Sequence, residues 1–344
     1  MEQYYGLFVY GLSLLTMGGI YAVMALGLNV QWGFTGLFNA GIAGFFAVGA
    51  YTQAILTTPI CRDHLGCYGV PIPFAMLVAM VFSAAVAWAI AKVCIRLRSD
   101  YLAIATIGIA EILRLAFKNE IWATNGPRGV SQIPKAFETL PAPWNALAFL
   151  AMVAAVVGVI YLALERARTA PWGRVMTAIR ENETAAAAAG KNVERFRLES
   201  FVIGSALMGL GGALMAQYLK QIDPNVSDPL TATFLVWVML VAGGSANNKG
   251  AVLGAVLIYV VWSASELLST RFLTLLSSDS IGILTHAEAG EWSIRFAYLR
   301  VFLIGLILQV ILQMRPQGIV PEVRPKPHPR QGGDQAPGVT QGSK

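Results

Sequence analysis

The chain alternates long apolar runs with short polar or glycine-rich interruptions. The runs cover residues 6–28, 37–56, 72–95, 101–117, 144–164, 200–219, 230–242, 251–268 and 294–314. Most supply the roughly 20 residues that a helix needs to cross a bilayer. The run at 230–242 is short, and either begins earlier or is partly re-entrant. The pattern predicts an all-α integral membrane protein, a polytopic bundle of about nine transmembrane helices, with eight or ten as the neighbouring solutions. Residues 1–315 form the transmembrane domain on this reading. The tail, 316–344, is rich in Pro, Gly and Gln and is predicted to be disordered.

Composition strengthens this picture. Of the 344 residues, 56% are hydrophobic and 13% charged, and the mean hydropathy is +0.59. Soluble domains carry about 25% charged residues, so this chain cannot build a charged skin and lipid must solvate much of it. The net charge of +6 is gathered into four clusters: Lys92, Arg96 and Arg98; Arg166, Arg168, Arg174, Arg180, Lys191, Arg195 and Arg197; Lys249; and Arg315, Arg324, Lys326 and Arg330. That distribution reads as membrane topology and excludes nucleic-acid binding. Nine crossings place all four clusters on one side, which the positive-inside rule makes cytoplasmic, with the N-terminus outside and the C-terminus inside. The first run follows Glu2 instead of a basic stretch, and is expected to be retained, not cleaved as a signal.

Candidate chemistry is sparse. His64, His286 and His328 lie in loops or the tail with no metal-ligand spacing, and no nucleophile–base set is evident, so no metal and no enzyme activity are expected on this chain. "GGSANNKG" lacks the spacing of a phosphate-binding loop. Cys94 sits in an apolar run as packing. Cys61 and Cys67 share one polar loop, where they form either a disulfide, if that loop faces an oxidising compartment, or two free thiols. Glu111 and Arg114 share a helix face at i,i+3. Charges at membrane depth cost at least ~2.5–3.5 kcal/mol each unless paired or hydrated, so the two either pair with each other inside the bundle or line a pathway. Asn29, Thr35, Asn39 and Gln53 flank a break at "WGFTG"; they either satisfy unwound backbone or contact the polar ends of a small zwitterion. Glycines at 41, 44, 49, 204, 209, 211 and 212 fit close helix packing.

One segment breaks the apolar pattern. "GRVMTAIRENETAAAAAGKNVERFR", residues 173–197, is polar and alanine-rich between greasy neighbours. Pro171 suits a helix start and Gly190 a stop. Val175, Ala178, Ile179, Ala185, Ala186 and Ala189 can share one face, with Arg174, Thr177, Arg180, Glu181 and Glu183 polar. A helix lying on lipid would show bulky apolar residues and excess Lys/Arg. Small alanines and balanced charge instead fit a helix that docks into a cleft of a cytoplasmic partner.

These residues carry a resemblance. The pattern Gly173, Arg174, Ala178, Ile179, Arg180, Glu181, Asn182, Glu183, Ala185, Ala186, Gly190 and Asn192 resembles the cytoplasmic coupling loop of branched-chain amino acid ABC importer permeases of the LivM-like kind. "DYLAIATIGIAEILRL", "TNGPRGV", "VAGGSANNKGAVLGA" and "RPQGIV" resemble other blocks of that family in the same order, over about residues 12–320. Asn39 and Ile42 depart from the family at the first break, and Ala246, Asn247 and Asn248 at the second. The resemblance implies a permease subunit of an ATP-driven importer for branched-chain or related amino acids in the bacterial inner membrane, with the coupling loop 166–198 and the C-terminus cytoplasmic. It implies a homologous permease as heterodimer partner, two cytoplasmic ATPases that hold the ATP and Mg²⁺, and a periplasmic substrate-binding protein. Arg174, Arg180, Glu181, Asn182, Glu183 and Gly190 would then serve ATPase coupling. The alternatives are a urea or short-amide permease of the same family and, from a different class, an ATP-independent secondary transporter, which would need no docking helix.

Overall fold

A computed structural model describes residues 2–59, 65, 66, 68–97, 99–276, 286–315 and 317–322. Cys61 and Cys67 lie outside the described residues, as does the tail from 323 onward. In chain order the α-helices are α1 (Glu2–Leu28), α2 (Ile42–Thr57), α3 (Ile72–Cys94), α4 (Ser99–Asn119), the single turn α5 (Ile121–Thr124), α6 (Trp144–Thr169), α7 (Pro171–Glu181), α8 (Glu183–Ala188), α9 (Val193–Leu219), α10 (Leu235–Gly243), α11 (Asn248–Leu276) and α12 (His286–Met314). A two-residue strand β1 (Val130–Ser131) pairs antiparallel with β2 (Gln221–Ile222), tying two loops at one end of the bundle.

Each of the nine expected apolar runs falls on a helix. Among the described residues, six helices are long and apolar enough to cross a membrane: α1 with its continuation to Phe34, α3, α6, α9, α11 and α12. The helices at Ile42–Thr57 and Leu230–Gly243 are apolar but shorter. The remaining run, α4, carries Asp100, Glu111, Arg114 and Lys118 within its 21 residues.

The first interruption differs from expectation. Asn29–Phe34 is not a break but a buried π-helical turn that prolongs α1. Polar side chains are tolerated there because they bond sideways into neighbouring helices. Loss of helix comes later, at Gly36, whose φ of +71° closes the turn while its N–H donates to the Trp32 carbonyl. A second π turn, Leu230–Phe234, forms the first five residues of the short expected run 230–242 and leads into α10, so the apolar helix begins where that run does.

α9 is the packing centre, touching α1, α2 and α3. Small residues make this possible. A Cβ on Gly49 would lie 1.9 Å from the Gly209 carbonyl oxygen, and one on Gly212 would lie 2.0 Å from that of Phe46. The backbones of α2 and α9 therefore touch, as expected where no hydrophobic drive separates protein from lipid.

Candidate functional site

Residues 36–41 form a non-helical stretch between the π turn and α2, and they lie beside other helices. The Trp237 indole N–H, in α10, donates to the Asn39 carbonyl at 3.0 Å. The Ala40 N–H donates to Thr106 Oγ1, in α4, at 3.1 Å, and the Ala43 N–H to Thr233 Oγ1, in the second π turn, at 3.1 Å. The Gly41 N–H donates to Asn39 Oδ1 at 2.8 Å. Side chains thus satisfy N–H groups at the start of α2 and just before it, as irregular backbone within a membrane protein requires.

The side chains beneath this stretch form a closed polar network. Asn39 Nδ2 donates to Gln31 Oε1 at 2.9 Å, and Gln31 Nε2 donates to the Phe201 carbonyl at 2.8 Å and Ser205 Oγ at 3.1 Å. Thr35 and Ser200 hydroxyls meet at 3.0 Å. Asn29 Nδ2 donates to Asn248 Oδ1 at 2.9 Å, while Asn29 Oδ1 accepts from the Ala246 N–H at 2.8 Å. Asn29, Thr35 and Asn39 are therefore buried and partnered within the protein. Gln53 is also buried, further along α2, and both its amide atoms lack a partner. Of the four residues expected to flank the first break, Thr35 and Asn39 both bond to Gln31, Asn29 bonds instead to Asn248 and Ala246, and Gln53 stands apart.

A cleft of about 510 Å³ opens against the non-helical stretch. Phe38 and Ala40 form one wall, Ile107 and Ala110 of α4 another, and Thr233, Phe234 and Trp237 a third. Phe38 stacks on Trp237 with centroids 4.4 Å apart, and Trp32 meets both rings edge-on. The lining is almost wholly apolar. Glu111 and Arg114 stand about one turn further along α4 from Ile107 and Ala110. They pair with each other, Arg114 Nε to Glu111 Oε2 at 2.9 Å and Nη2 to Oε1 at 2.5 Å, with side chains 39% and 27% exposed. Arg114 also interacts with Asp228, the neighbour of the cleft-lining Pro229.

The polar segment adjoins the turn that precedes the non-helical stretch, and Arg96 and Lys249 of two other basic clusters lie close to it. Arg96 approaches Glu194 at 3.4 Å, Arg168 pairs with Glu165 at 2.5 Å, and Glu165 Oε2 accepts from Asn248 Nδ2 at 3.0 Å. Lys249 lies close enough to act electrostatically on Glu165. The expected single amphipathic helix is two helices, α7 and α8, separated by Asn182 in extended conformation. Asn182 Oδ1 accepts from the Ala185 N–H at 2.9 Å, so its side chain starts a new helix in place of continuing the old one. Gly190, at φ +77°, follows α8.

This kink divides the expected shared face. Ile179, Ala186 and Val193 pack inward with Val175 and Phe196. Ala178, Ala185 and Ala189 are exposed, as are Arg174, Glu181, Asn182, Glu183 and Gly190. Glu183 pairs with Arg197 at 3.1 Å. Arg180 turns inward, 21% exposed, where Nη2 donates to both carboxylate oxygens of Glu322 at 2.7 and 3.0 Å and Nη1 donates to the Gly33 carbonyl.

Sequence reasoning did not single out Gln31, Ser200, Ser205, Thr106, Thr233, Trp237, Glu165 or Glu322. Its available signal was polarity inside apolar runs, which marks Gln31, Ser200 and Ser205. Glu322, beyond the last run, carried no such signal.

An α-helical bundle with irregular backbone lining an apolar cleft, and one exposed polar segment beside basic residues, fits a multi-pass membrane permease. The chain belongs to the family described as branched-chain amino acid transport system / permease component, which matches residues 10–312. It is 30% identical to the high-affinity branched-chain amino acid transport system permease protein LivM of Salmonella typhimurium, over 90% of this chain and 70% of that protein. It is 25% identical to the probable branched-chain amino acid transport permease protein LivM of Methanocaldococcus jannaschii, over 88% and 91% of the two chains. It is 24% identical to the permease protein LivH of Salmonella typhimurium, over 77% and 87%. The resemblance to LivM-like permeases seen in the coupling-loop residues therefore holds over most of the chain. No solved structure matches it.

Proposed function

We propose that this chain is the membrane-spanning permease subunit of an ATP-driven importer for branched-chain or related amino acids. It pairs with a homologous permease; the chain's own similarity to both LivM and LivH proteins supports a pair of related subunits. Two cytoplasmic ATPases carry ATP and its Mg²⁺, and a periplasmic binding protein delivers solute. The protein sits in the bacterial inner membrane with loop 166–198 and the C-terminus inside, as the gathering of basic clusters at one end supports.

The observation that carries this reading is the placement of α7 and α8. Their outer surface presents Arg174, Glu181 and Asn182 to solvent, while their inner surface reaches the segment that opens α2. A partner that pushes on this loop acts directly on the wall of the cleft. The cleft suits a branched aliphatic side chain, with Phe38 and Trp237 as its aromatic wall and the Glu111–Arg114 pair nearby to meet the solute's charged ends. The apolar lining favours amino acids over urea or short amides.

The test is purification of the complex from native membranes. ATPase subunits should copurify with this chain and be lost when Arg174 and Glu181 are both changed to alanine. Uptake that persists after ATP depletion would defeat the proposal.

A further inference from the structure

Beyond α12 the chain does not leave the bundle at once. Residues 317–322 return along the loop joining α10 to α11. The Ile319 N–H donates to the Ala242 carbonyl and the Val320 N–H to the Gly243 carbonyl, both at 2.9 Å, and Asn247 Nδ2 donates to the Pro321 carbonyl at 2.9 Å. Gly318 adopts φ +78°, and a Cβ there would lie 2.5 Å from the Gly244 Cα, so the strap lies flush on the loop. The tail expected to be unstructured from 316 thus begins with an anchored segment.

Glu322 of this strap meets Arg180 of α7. That single guanidinium bonds outward to Glu322 and inward to the Gly33 carbonyl, in the last turn before the non-helical stretch. Its stem covers Gly36, where an added Cβ would lie 3.3 Å from Arg180 Cγ. Arg168 is near enough to act on Glu322, and Arg174 and Glu181 line the same cavity, of about 420 Å³. Arg180 has little surface left for an outside partner. A pair with both side chains about three-quarters covered is held by charge-assisted hydrogen bonds with fixed geometry.

We propose that Glu322 is a positioning residue: it fixes the Arg180 guanidinium on the Gly33 carbonyl, so that displacement of α7 is delivered to residues 36–41 and not absorbed by a swinging side chain. The proposal rests on the coupling-loop reading above. It assigns the C-terminal strap a role in transmission, separate from docking of the ATPase. The carboxylate matters to this role because both its oxygens accept from Nη2 while Nη1 holds the Gly33 carbonyl, so the two nitrogens are anchored at once.

The test uses the complete transporter in proteoliposomes, with the wild type establishing ATP-driven uptake and so checking the parent reading first. In Glu322→Gln, ATPase subunits should remain bound and ATP turnover should change little. Solute moved per ATP should fall roughly tenfold, within the range of mutations along a coupling network, and Glu322→Asp should restore part of it. Unchanged solute per ATP, or loss of the ATPase subunits from Glu322→Gln, would overturn the proposal. A second measurement needs no nucleotide: in a background lacking Cys61, Cys67 and Cys94, maleimide labelling of Ala40→Cys in the cleft should change several-fold when Glu322→Gln is added. An identical labelling rate counts against the clasp even if the chain proves not to be ATP-driven.

Discussion

α9 and α12 are both apolar enough to cross a membrane, yet the protein treats them oppositely. In the most apolar window of α9, 72% of residues are buried within the protein; for α12 the share is 6%. Hydropathy does not separate them. Small residues do: Gly204, Gly209, Gly211 and Gly212 of α9 each lie against another helix, whereas Gly305 of α12 has nothing near its missing side chain. In lipid, apolar character sends a segment into the membrane, and the spacing of small residues then decides which segments touch protein.

The largest expected effect comes from breaking the tight side of that contrast. Gly212→Leu would drive a side chain into the Phe46 carbonyl, and overpacking of this kind costs about 3 kcal/mol or more. Little folded protein should survive extraction, as judged by size-exclusion chromatography and thermal unfolding in detergent. α10 is buried along most of its length, with Trp237 and Val241 partly open to the cleft. Trp237→Phe keeps an aromatic ring but removes the hydrogen bond to the Asn39 carbonyl, a loss of about 1 kcal/mol. Uptake should fall severalfold while the unfolding temperature moves by only a few degrees.

A smaller effect is expected at the end bearing β1 and β2. There Glu138 is held below the usual carboxylate range by the Lys220 ammonium and the Lys135 N–H, while burial pushes Lys135 itself down as it lies over the Phe149 and Tyr218 rings. Because the folded value of Glu138 is depressed, its contribution is full above the ordinary carboxylate value of about 4. It is lost as pH falls through the depressed value. Pepsin nicking within 125–143 should rise across that window, and Lys220→Ala should remove the transition. The smallest effect completes the comparison: Gly305→Leu should shift stability by less than about 0.5 kcal/mol, as surface changes do. A large loss there would mean that α12 is packed as tightly as α9.

Much of this was legible in the residues. The nine apolar runs became helices because lipid-facing backbone has no alternative to internal hydrogen bonding. The second break, at "GGSANNKG", held because Gly244 adopts φ +118°, which other residues rarely do. What stayed hidden depended on distant partners. "NVQWGFTG" reads as an interruption, but Asn29 and Gln31 find Asn248 and Ser205 across the bundle, and the helix survives. The alanine-rich segment reads as one amphipathic helix, because nothing in its periodicity shows that Asn182 turns its own side chain to cap the next turn. Likewise Arg180 reads as surface charge until the strap brings Glu322 beside it.

The short reach of α2 has a consequence for permeation. Its 16 residues span about 24 Å at 1.5 Å per residue, less than the roughly 30 Å of a hydrocarbon core. The shortfall is met by the non-helical residues 36–41, whose backbone N–H groups are held by Asn39 and Thr106. On the importer reading proposed above, a solute in the cleft would meet this short stretch beside the stacked Phe38 and Trp237.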